Sequence, residues 1–297
     1  MAISAAAVAN RWTQRRRRAQ ELREAWPFSA EVLGFYGALL DAQEAAWSQA
    51  RMDVPAPADV ISYTRVRVLP AIFEATVRSG PSKLVQSLLE RYEVADFESI
   101  AKAWLDGNEL LPVERYIARA AVSPVLEALG TAAGALGSGP RGGRHCPSCG
   151  GRPQLSYFAA SSEELLTPQR YLECERCATS WPYTRMTCAA CGESRSMQLA
   201  VFTEEGVAQA GRGARVVRRQ PAAADLGSEA AAPEPGSARF AHMRIDGCRS
   251  CSTYVLTVDL GGNGRAVPVV DELAALPLDL YAKEQGLRKI TPNLMGF

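Results

Sequence analysis

YLECERCATSWPYTRMTCAACG, residues 171–192, contains two Cys-x-x-Cys pairs and sets the pattern for the second half of the chain. All the cysteines of the chain fall into such pairs, and none lies before residue 146. The eight are Cys146, Cys149, Cys174, Cys177, Cys188, Cys191, Cys248 and Cys251. One Cys-x-x-Cys turn offers two thiolates to a tetrahedral ion, and a second turn completes the site. The eight sulfurs therefore predict two closed four-cysteine metal sites.

The order of the four pairs leaves open how they combine. A sequential arrangement joins the first pair with the second and the third with the fourth, and the repeated order of pairs and strands favours it. A crossed arrangement, as in cross-braced zinc domains, is the main alternative. The 24 residues between Cys149 and Cys174 suit a zinc-ribbon or rubredoxin-like module. Both zinc and iron accept four thiolates, so this spacing does not separate the two metals.

Other chemistries find less support in the sequence. A closed four-sulfur site leaves no position for a substrate, and thiol–disulfide exchange would predict one special pair in a βαβ setting. The two histidines, His145 and His242, are interpreted as non-ligands because the cysteines already complete both sites. A net charge of +1 argues against a general affinity for nucleic acid. We therefore expect a protein that is not an enzyme.

Residues 1–135 show helical periodicity and form the first predicted domain. Apolar residues recur at helical spacing in AEVLGFYGALLDAQEAAW, residues 30–47, and Pro70 is expected to divide the following helix. The arginines at 15–18 resemble a twin-arginine signal, but the polar sequence after them favours the solvated face of a helix. Without an export signal or a bilayer-spanning apolar stretch, the expected location is the cytoplasm.

A Gly-rich linker at 130–145 precedes the cysteine half, where short strands alternate with the cysteine pairs. The predicted units are a first four-cysteine module over 144–199 and a second over 186–297, overlapping at the third pair. A partly mobile loop is predicted over 205–237, and one helix over about 270–285. The apolar end from Ile290 is expected to pack down. The predicted fold class is α+β, with an all-helical N-terminal domain, two tandem rubredoxin-like or zinc-ribbon-like modules and a C-terminal helix.

Several stretches together resemble the formate dehydrogenase accessory protein FdhE family. They are LGFYGALLDAQ (33–43), HCPSCGGRP (145–153), YLECERCATSWPYTRMTCAACG (171–192), DGCRSCSTYVL (246–256) and LYAKEQGLRKITPNLMGF (280–297). Single Cys-x-x-Cys turns are not specific, but the four turns combined with Trp181 and the ending are. Leu256, where the family tends toward a lysine, and the long 205–237 insertion are departures that could alter a partner surface.

The resemblance implies a cytoplasmic assembly factor for molybdenum-dependent respiratory formate dehydrogenases. Such a factor would bind the catalytic subunit before its export by the twin-arginine route, and would need neither a membrane span nor nucleic acid. The resemblance also implies tandem rubredoxin-like modules and favours iron as the metal, with zinc as the alternative. The main competing hypothesis is a rubredoxin-like electron carrier. A zinc-ribbon protein that binds nucleic acid is a weaker one, because it would need a basic stripe with interleaved aromatic residues.

Overall fold

The computed structural model describes residues 5–92, 96–136, 139–160, 167–204, 215–217 and 238–297. Seven helices occupy the described part of the N-terminal half, and two more follow the last long strand. They are α1 (Ala5–Ala25), α2 (Ala30–Asp53), α3 (Val60–Tyr63), α4 (Leu69–Ser79), α5 (Ser82–Tyr92), α6 (Phe97–Asp106), α7 (Pro112–Leu129), α8 (Pro268–Ala274) and α9 (Leu276–Glu284). None of these helices is both long and apolar enough to span a membrane.

The predicted helical pattern is confirmed in α2 and around Pro70. Within α2 the apolar positions Phe35, Tyr36, Leu39, Leu40 and Trp47 are all buried. A π-helical turn over Thr64–Val68 separates α3 from α4. Proline has no amide hydrogen to donate to the preceding turn, so the helix widens there before α4 begins.

The cysteine half forms a single sheet, and this confirms the α+β fold class. Its strands are β1 (Pro153–Phe158), β2 (Arg170–Cys174), β3 (Ser180–Tyr183), β4 (Leu199–Glu204), β5 (Arg215–Val217), β6 (Met243–Cys248), β7 (Thr253–Asp259) and β8 (Arg288–Lys289). Their order is β3-β2-β1-β7-β6-β4-β5, with β8 beside β7. The parallel β1–β7 pairing, which sets Ser156 opposite Thr257, joins the strands of the two cysteine modules. The predicted domain boundaries stay predictions, but backbone hydrogen bonds run across both modules.

The apolar core links the helices to the sheet. One cluster extends from α2, α4, α6 and α7 to β2 and includes the first four cysteines. A second lies between the sheet and α9, and a third packs α1 and α2 on α8. Trp12, Trp47 and Trp104 are buried in these clusters. Apolar contacts in the interior therefore join the helices and the sheet of the described residues.

The prediction of a solvated arginine face on α1 is wrong for two of its four arginines. Arg15 and Arg18 are only 6% and 7% exposed. Arg15 donates to the Glu127 carboxylate of α7, and Arg18 donates to both carboxylate oxygens of Asp271 in α8, at 2.9 and 2.6 Å. The other face of α1 remains outside, where Arg16 pairs with Asp41. The arginine run therefore contributes two buried packing residues, while Arg16 is partly exposed and Arg17 is exposed.

The single helix predicted over 270–285 is two helices. α8 ends at Ala274 and α9 starts at Leu276, with Ala275 in a non-helical conformation. Pro277 lies in the first turn of α9, where its missing amide hydrogen costs no helical hydrogen bond. The start of the predicted linker is also regular, because Gly130–Ala135 forms a 3₁₀ helix.

The C-terminal residues pack against the core, as predicted. Leu294 and Met295 contact two apolar clusters, and the Pro292 carbonyl accepts a hydrogen bond from the buried Arg119 at 2.7 Å. Leu256 is fully buried in the sheet core, so the expectation that it alters a partner surface is wrong. The loop predicted over 205–237 lies outside the described residues, except for the short strand β5.

Candidate metal centres

The first group of cysteines is assembled by the turn before β1 and the turn between β2 and β3. Its members are Cys146, Cys149, Cys174 and Cys177. The Sγ atoms of Cys146 and Cys177 are 3.6 Å apart, and those of Cys149 and Cys174 are 3.4 Å apart. Strand pairing holds the two turns together, since Pro153 at the start of β1 lies opposite Cys174 at the end of β2.

The second group repeats this arrangement with the turn before β4 and the turn between β6 and β7. Its members are Cys188, Cys191, Cys248 and Cys251. The Cys188 and Cys251 sulfurs are 3.8 Å apart, and those of Cys191 and Cys248 are 3.7 Å apart. The antiparallel pairing of β6 with β4 and β7 places Cys248 opposite both Leu199 and Thr253.

All four turns share one backbone conformation. The residue after each second cysteine has a positive φ, namely Gly150 (74°), Ala178 (52°), Gly192 (81°) and Ser252 (53°). In both glycine turns the first cysteine also accepts a hydrogen bond at its carbonyl from the glycine amide, at 3.0 Å. This left-handed step turns the chain back so that both sulfurs of a pair point to one side. Alanine and serine adopt it at some cost, which the surrounding structure offsets.

The sulfur geometry fits a tetrahedral metal ion. A metal–sulfur distance of about 2.3 Å gives a sulfur–sulfur edge of about 3.8 Å in a regular tetrahedron. A disulfide would bring the sulfurs to about 2.05 Å, so the observed separations exclude disulfide pairing in this arrangement. Within each group all four sulfurs lie within 4.8 Å of one another. Both groups could therefore bind a metal ion, and iron and zinc are equally compatible with four thiolates.

Polar contacts to the sulfurs support this interpretation. The amides of Arg176 and Ala190 each approach the sulfur of the cysteine two residues earlier, Cys174 and Cys188, at 3.4 Å. The hydroxyl oxygens of Thr179 and Thr253 lie 3.2 and 3.0 Å from the sulfurs of Cys177 and Cys251. Amide donors stabilise metal-bound thiolates, and the Thr179 hydroxyl, which accepts from the Cys177 thiol here, can donate to that sulfur once the thiol has lost its proton.

The thiol pKa values within each group shift in opposite directions, and hydrogen bonds from the other three cysteines of its group lower the pKa of Cys146. Burial raises the pKa of Cys174 well above its ordinary value. Burial, with a further contribution from the charge of Cys188, raises the pKa of Cys248 to about 12. Neighbouring thiolates repel one another, so a set of four ionises together only when a cation balances the charge. The donor set is therefore suited to a cation.

The sequential grouping of the four pairs is confirmed, because the structure brings together the first with the second and the third with the fourth. The ligand role of the eight cysteines stays a prediction. His145 and His242 belong to neither group; His242 Nε2 is hydrogen-bonded to Asp271 Oδ1 at 2.8 Å. The sequence reasoning missed Thr179 and Thr253. Each follows its pair by two residues, so the repeat was visible in the sequence.

Comparisons with known proteins relate this chain to FdhE proteins through family models and through individual relatives. Models of the FdhE central domain and the FdhE C-terminal domain match residues 145–185 and 221–295. An FdhE homologue from Rhizobium meliloti is 26% identical over 296 residues, which cover 90% of this chain and 85% of that protein. An FdhE homologue from Aquifex aeolicus is 28% identical over 153 residues, or 52% of this chain. The chain is therefore similar to FdhE proteins over most of its length, and two FdhE domain models match its second half.

A solved FdhE structure shares the fold. The crystal structure of the FdhE protein from Pseudomonas aeruginosa superposes with a TM-score of 0.60 and 24% sequence identity, covering 96% of this chain and 95% of that one. The sequence matches to the Aquifex aeolicus and Pseudomonas aeruginosa relatives cover only 42% and 38% of those proteins. The two FdhE domain models include the first, second and fourth cysteine pairs, whereas Cys188 and Cys191 lie between the matched ranges.

Proposed function

We propose that the protein is an accessory factor for the maturation of a formate dehydrogenase. The observation that carries this proposal is the similarity of the chain to FdhE proteins, together with two four-cysteine groups whose spacing fits closed metal sites. A metal held by four sulfurs has no open coordination position, so the proposed role is binding rather than catalysis. The residues bound to the metals would be the eight cysteines, and iron is the favoured metal with zinc as the alternative.

The client in this proposal is the catalytic subunit of a molybdenum-dependent respiratory formate dehydrogenase, bound in the cytoplasm before export. The two metals stabilise the sheet, and the sheet carries the helices that complete the molecule. A protein of this construction offers a preformed surface of fixed shape to a client. Preformed surfaces bind with a smaller loss of conformational entropy than mobile ones.

Co-purification with the client tests the proposal. The metal-loaded protein is expected to retain a tagged catalytic subunit of formate dehydrogenase, and not an unrelated cytoplasmic enzyme of similar size. Cys248→Ser is expected to lose a metal ion and with it the client. The matched control is Arg249→Ser, which changes an exposed residue of the same turn and leaves the sulfurs in place. Failure of the folded, metal-loaded protein to retain the subunit would overturn the proposal.

A second candidate function is electron transfer by a rubredoxin-like iron centre. The observation in its favour is that Cys191 of the second group is exposed, which shortens the path to an external partner. The two functions separate on metal replacement, because zinc does not change its oxidation state. Zinc-loaded protein that still supports formate dehydrogenase maturation would exclude an essential electron-transfer role.

A further inference from the structure

The first cysteine group lies inside the molecule. Its four cysteines are between 0 and 4% exposed. They belong to the same apolar cluster as residues of α2, α6 and α7, including Trp104 and Leu126. Ala133 of the 3₁₀ helix is also fully buried in this cluster. Helical side chains therefore cover the sulfurs of the first group.

Specific contacts fix this cover in place. The Arg176 guanidinium, in the second turn, donates to the Trp104 carbonyl at the end of α6 at 3.1 Å and lies over the Trp104 ring. The indole of Trp181 donates to the Gly143 carbonyl at 2.9 Å, which holds the chain entering the first turn. An external molecule would have to displace these contacts to reach the first group of sulfurs.

The second group has no such cover among the described residues. Cys191 is exposed and Cys251 is partly exposed. None of its four cysteines belongs to an apolar cluster of the described chain. The residues around Cys191 face solvent as well, and Met197, at the turn into β4, is 85% exposed. Cys188 and Cys248 are buried, so among the described residues it is the edge of the second sulfur tetrahedron at Cys191 and Cys251 that lies uncovered.

We propose that the two centres have different roles: the first is a sealed structural centre, and the second exchanges its metal ion with ligands in solution through the open edge at Cys191. The inference rests on the proposed binding of metal by both groups. With a metal ion bound, a donor atom of the incoming ligand would take the place of the Cys191 thiolate, and that thiolate would take a proton from solvent. No electron is transferred, so zinc serves as well as iron.

Metal release from the zinc-loaded full-length protein tests the proposal. A chromogenic chelator such as 4-(2-pyridylazo)resorcinol is expected to remove one zinc equivalent at least about tenfold faster than the other, because the first site opens only when packed structure opens. Two equivalents released in a single phase would overturn the inference. A protein that binds no zinc, iron or cobalt would instead overturn the proposal that the groups bind metal.

Peptide mapping assigns the two phases. After the fast phase, iodoacetamide is expected to alkylate Cys188, Cys191, Cys248 and Cys251, while the first group stays protected by its metal. Alkylation of the first group at equal or greater extent would contradict the assignment. Thr253→Val and Thr179→Val provide a matched pair that retains all the sulfurs. Thr253→Val removes the hydroxyl beside the Cys251 sulfur and is expected to accelerate only the fast phase of zinc release. Thr179→Val removes the hydroxyl beside the Cys177 sulfur and is expected to accelerate only the slow phase.

Discussion

At Gly151 the absence of a side chain is what lets the first centre close. A Cβ atom at this position would lie 2.8 Å from the Cys174 sulfur and 3.0 Å from Cδ of Arg176. The Gly151 carbonyl also accepts the Cys146 amide, at 2.9 Å, so the backbone has little freedom to move away. The residue thus contributes to the metal site without offering a ligand.

Gly151→Ala is accordingly expected to lower the metal affinity of the first site and to destabilise the protein by about 1–3 kcal/mol, the usual range for overpacking. Metal equivalents per chain and urea unfolding measure the two effects. Gly264→Ala is the matched control, because a Cβ there meets nothing within 4 Å. Equal behaviour of the two variants would show that the first site tolerates a shift of the Cys174 sulfur.

Asp271 is a buried carboxylate with two cationic or polar partners from distant parts of the chain. Burial opposes its ionisation, but hydrogen bonds from His242 and Arg18 outweigh this effect and lower its pKa. A lowered pKa means that the stabilisation is present above the unfolded-state pKa, about 4, and is lost as the pH falls through the folded-state pKa. Asp271 should therefore contribute to acid unfolding.

Asp271→Asn is expected to cost about 3 kcal/mol of unfolding free energy at pH 7, since it leaves the buried Arg18 charge with only the ion pair to Glu21, at 3.3 Å. Part of the loss of stability below about pH 4 should disappear in the variant. Denaturant unfolding at several pH values measures both. The control is Asp41→Asn, which breaks the exposed pair of Arg16 on the same helix and should cost less than about 1 kcal/mol. Similar costs for both variants would contradict the interpretation.

At the scale of elements, the C-terminal residues Leu294 and Met295 contact both the first and the third apolar cluster. Met295→Ser is expected to cost about 1–3 kcal/mol, because Met295 packs against two apolar clusters. Met197→Ser is the matched control, since Met197 is 85% exposed and should change stability by less than about 0.5 kcal/mol. Thermal unfolding of both variants makes the comparison. A neutral Met295→Ser would mean that the ending contributes little to the core.

The helices and strands also show which structural features local sequence patterns predict and which they do not. Helices, strands and the grouping of the cysteines follow from local periodicity and spacing, which short stretches of sequence contain. The ion pair of Arg18 with Asp271 and the pairing of β1 with β7 join residues far apart in the chain, and no local pattern indicates them. For the same reason the sequence around residues 15–18 does not indicate that Arg15 and Arg18 are buried. Pro277, in contrast, is a local signal for the start of a new helix.

At the scale of the whole molecule, unfolding should be cooperative because the two cysteine groups belong to the same sheet. The sheet is continuous across both cysteine groups, and α1 is bound to α8. Metal-loaded protein is therefore expected to unfold in one calorimetric transition, and removal of both metals should lower its midpoint temperature. Differential scanning calorimetry measures both. Two separated transitions in the metal-loaded protein would instead support modules that fold independently.

The ion pair between Arg18 and Asp271 also has a consequence for protein synthesis. Its partners are separated by 253 residues, so α1 obtains the buried partner of Arg18 only after all the residues between them have been synthesised. At about 5–20 residues per second, this delay lasts on the order of ten seconds or more. A nascent chain can close the first cysteine group and pack α1 against α2 during that time, but α8 is not yet present to cover these two helices. Chains that terminate early therefore leave an apolar helix face uncovered, which marks them for chaperones and proteases.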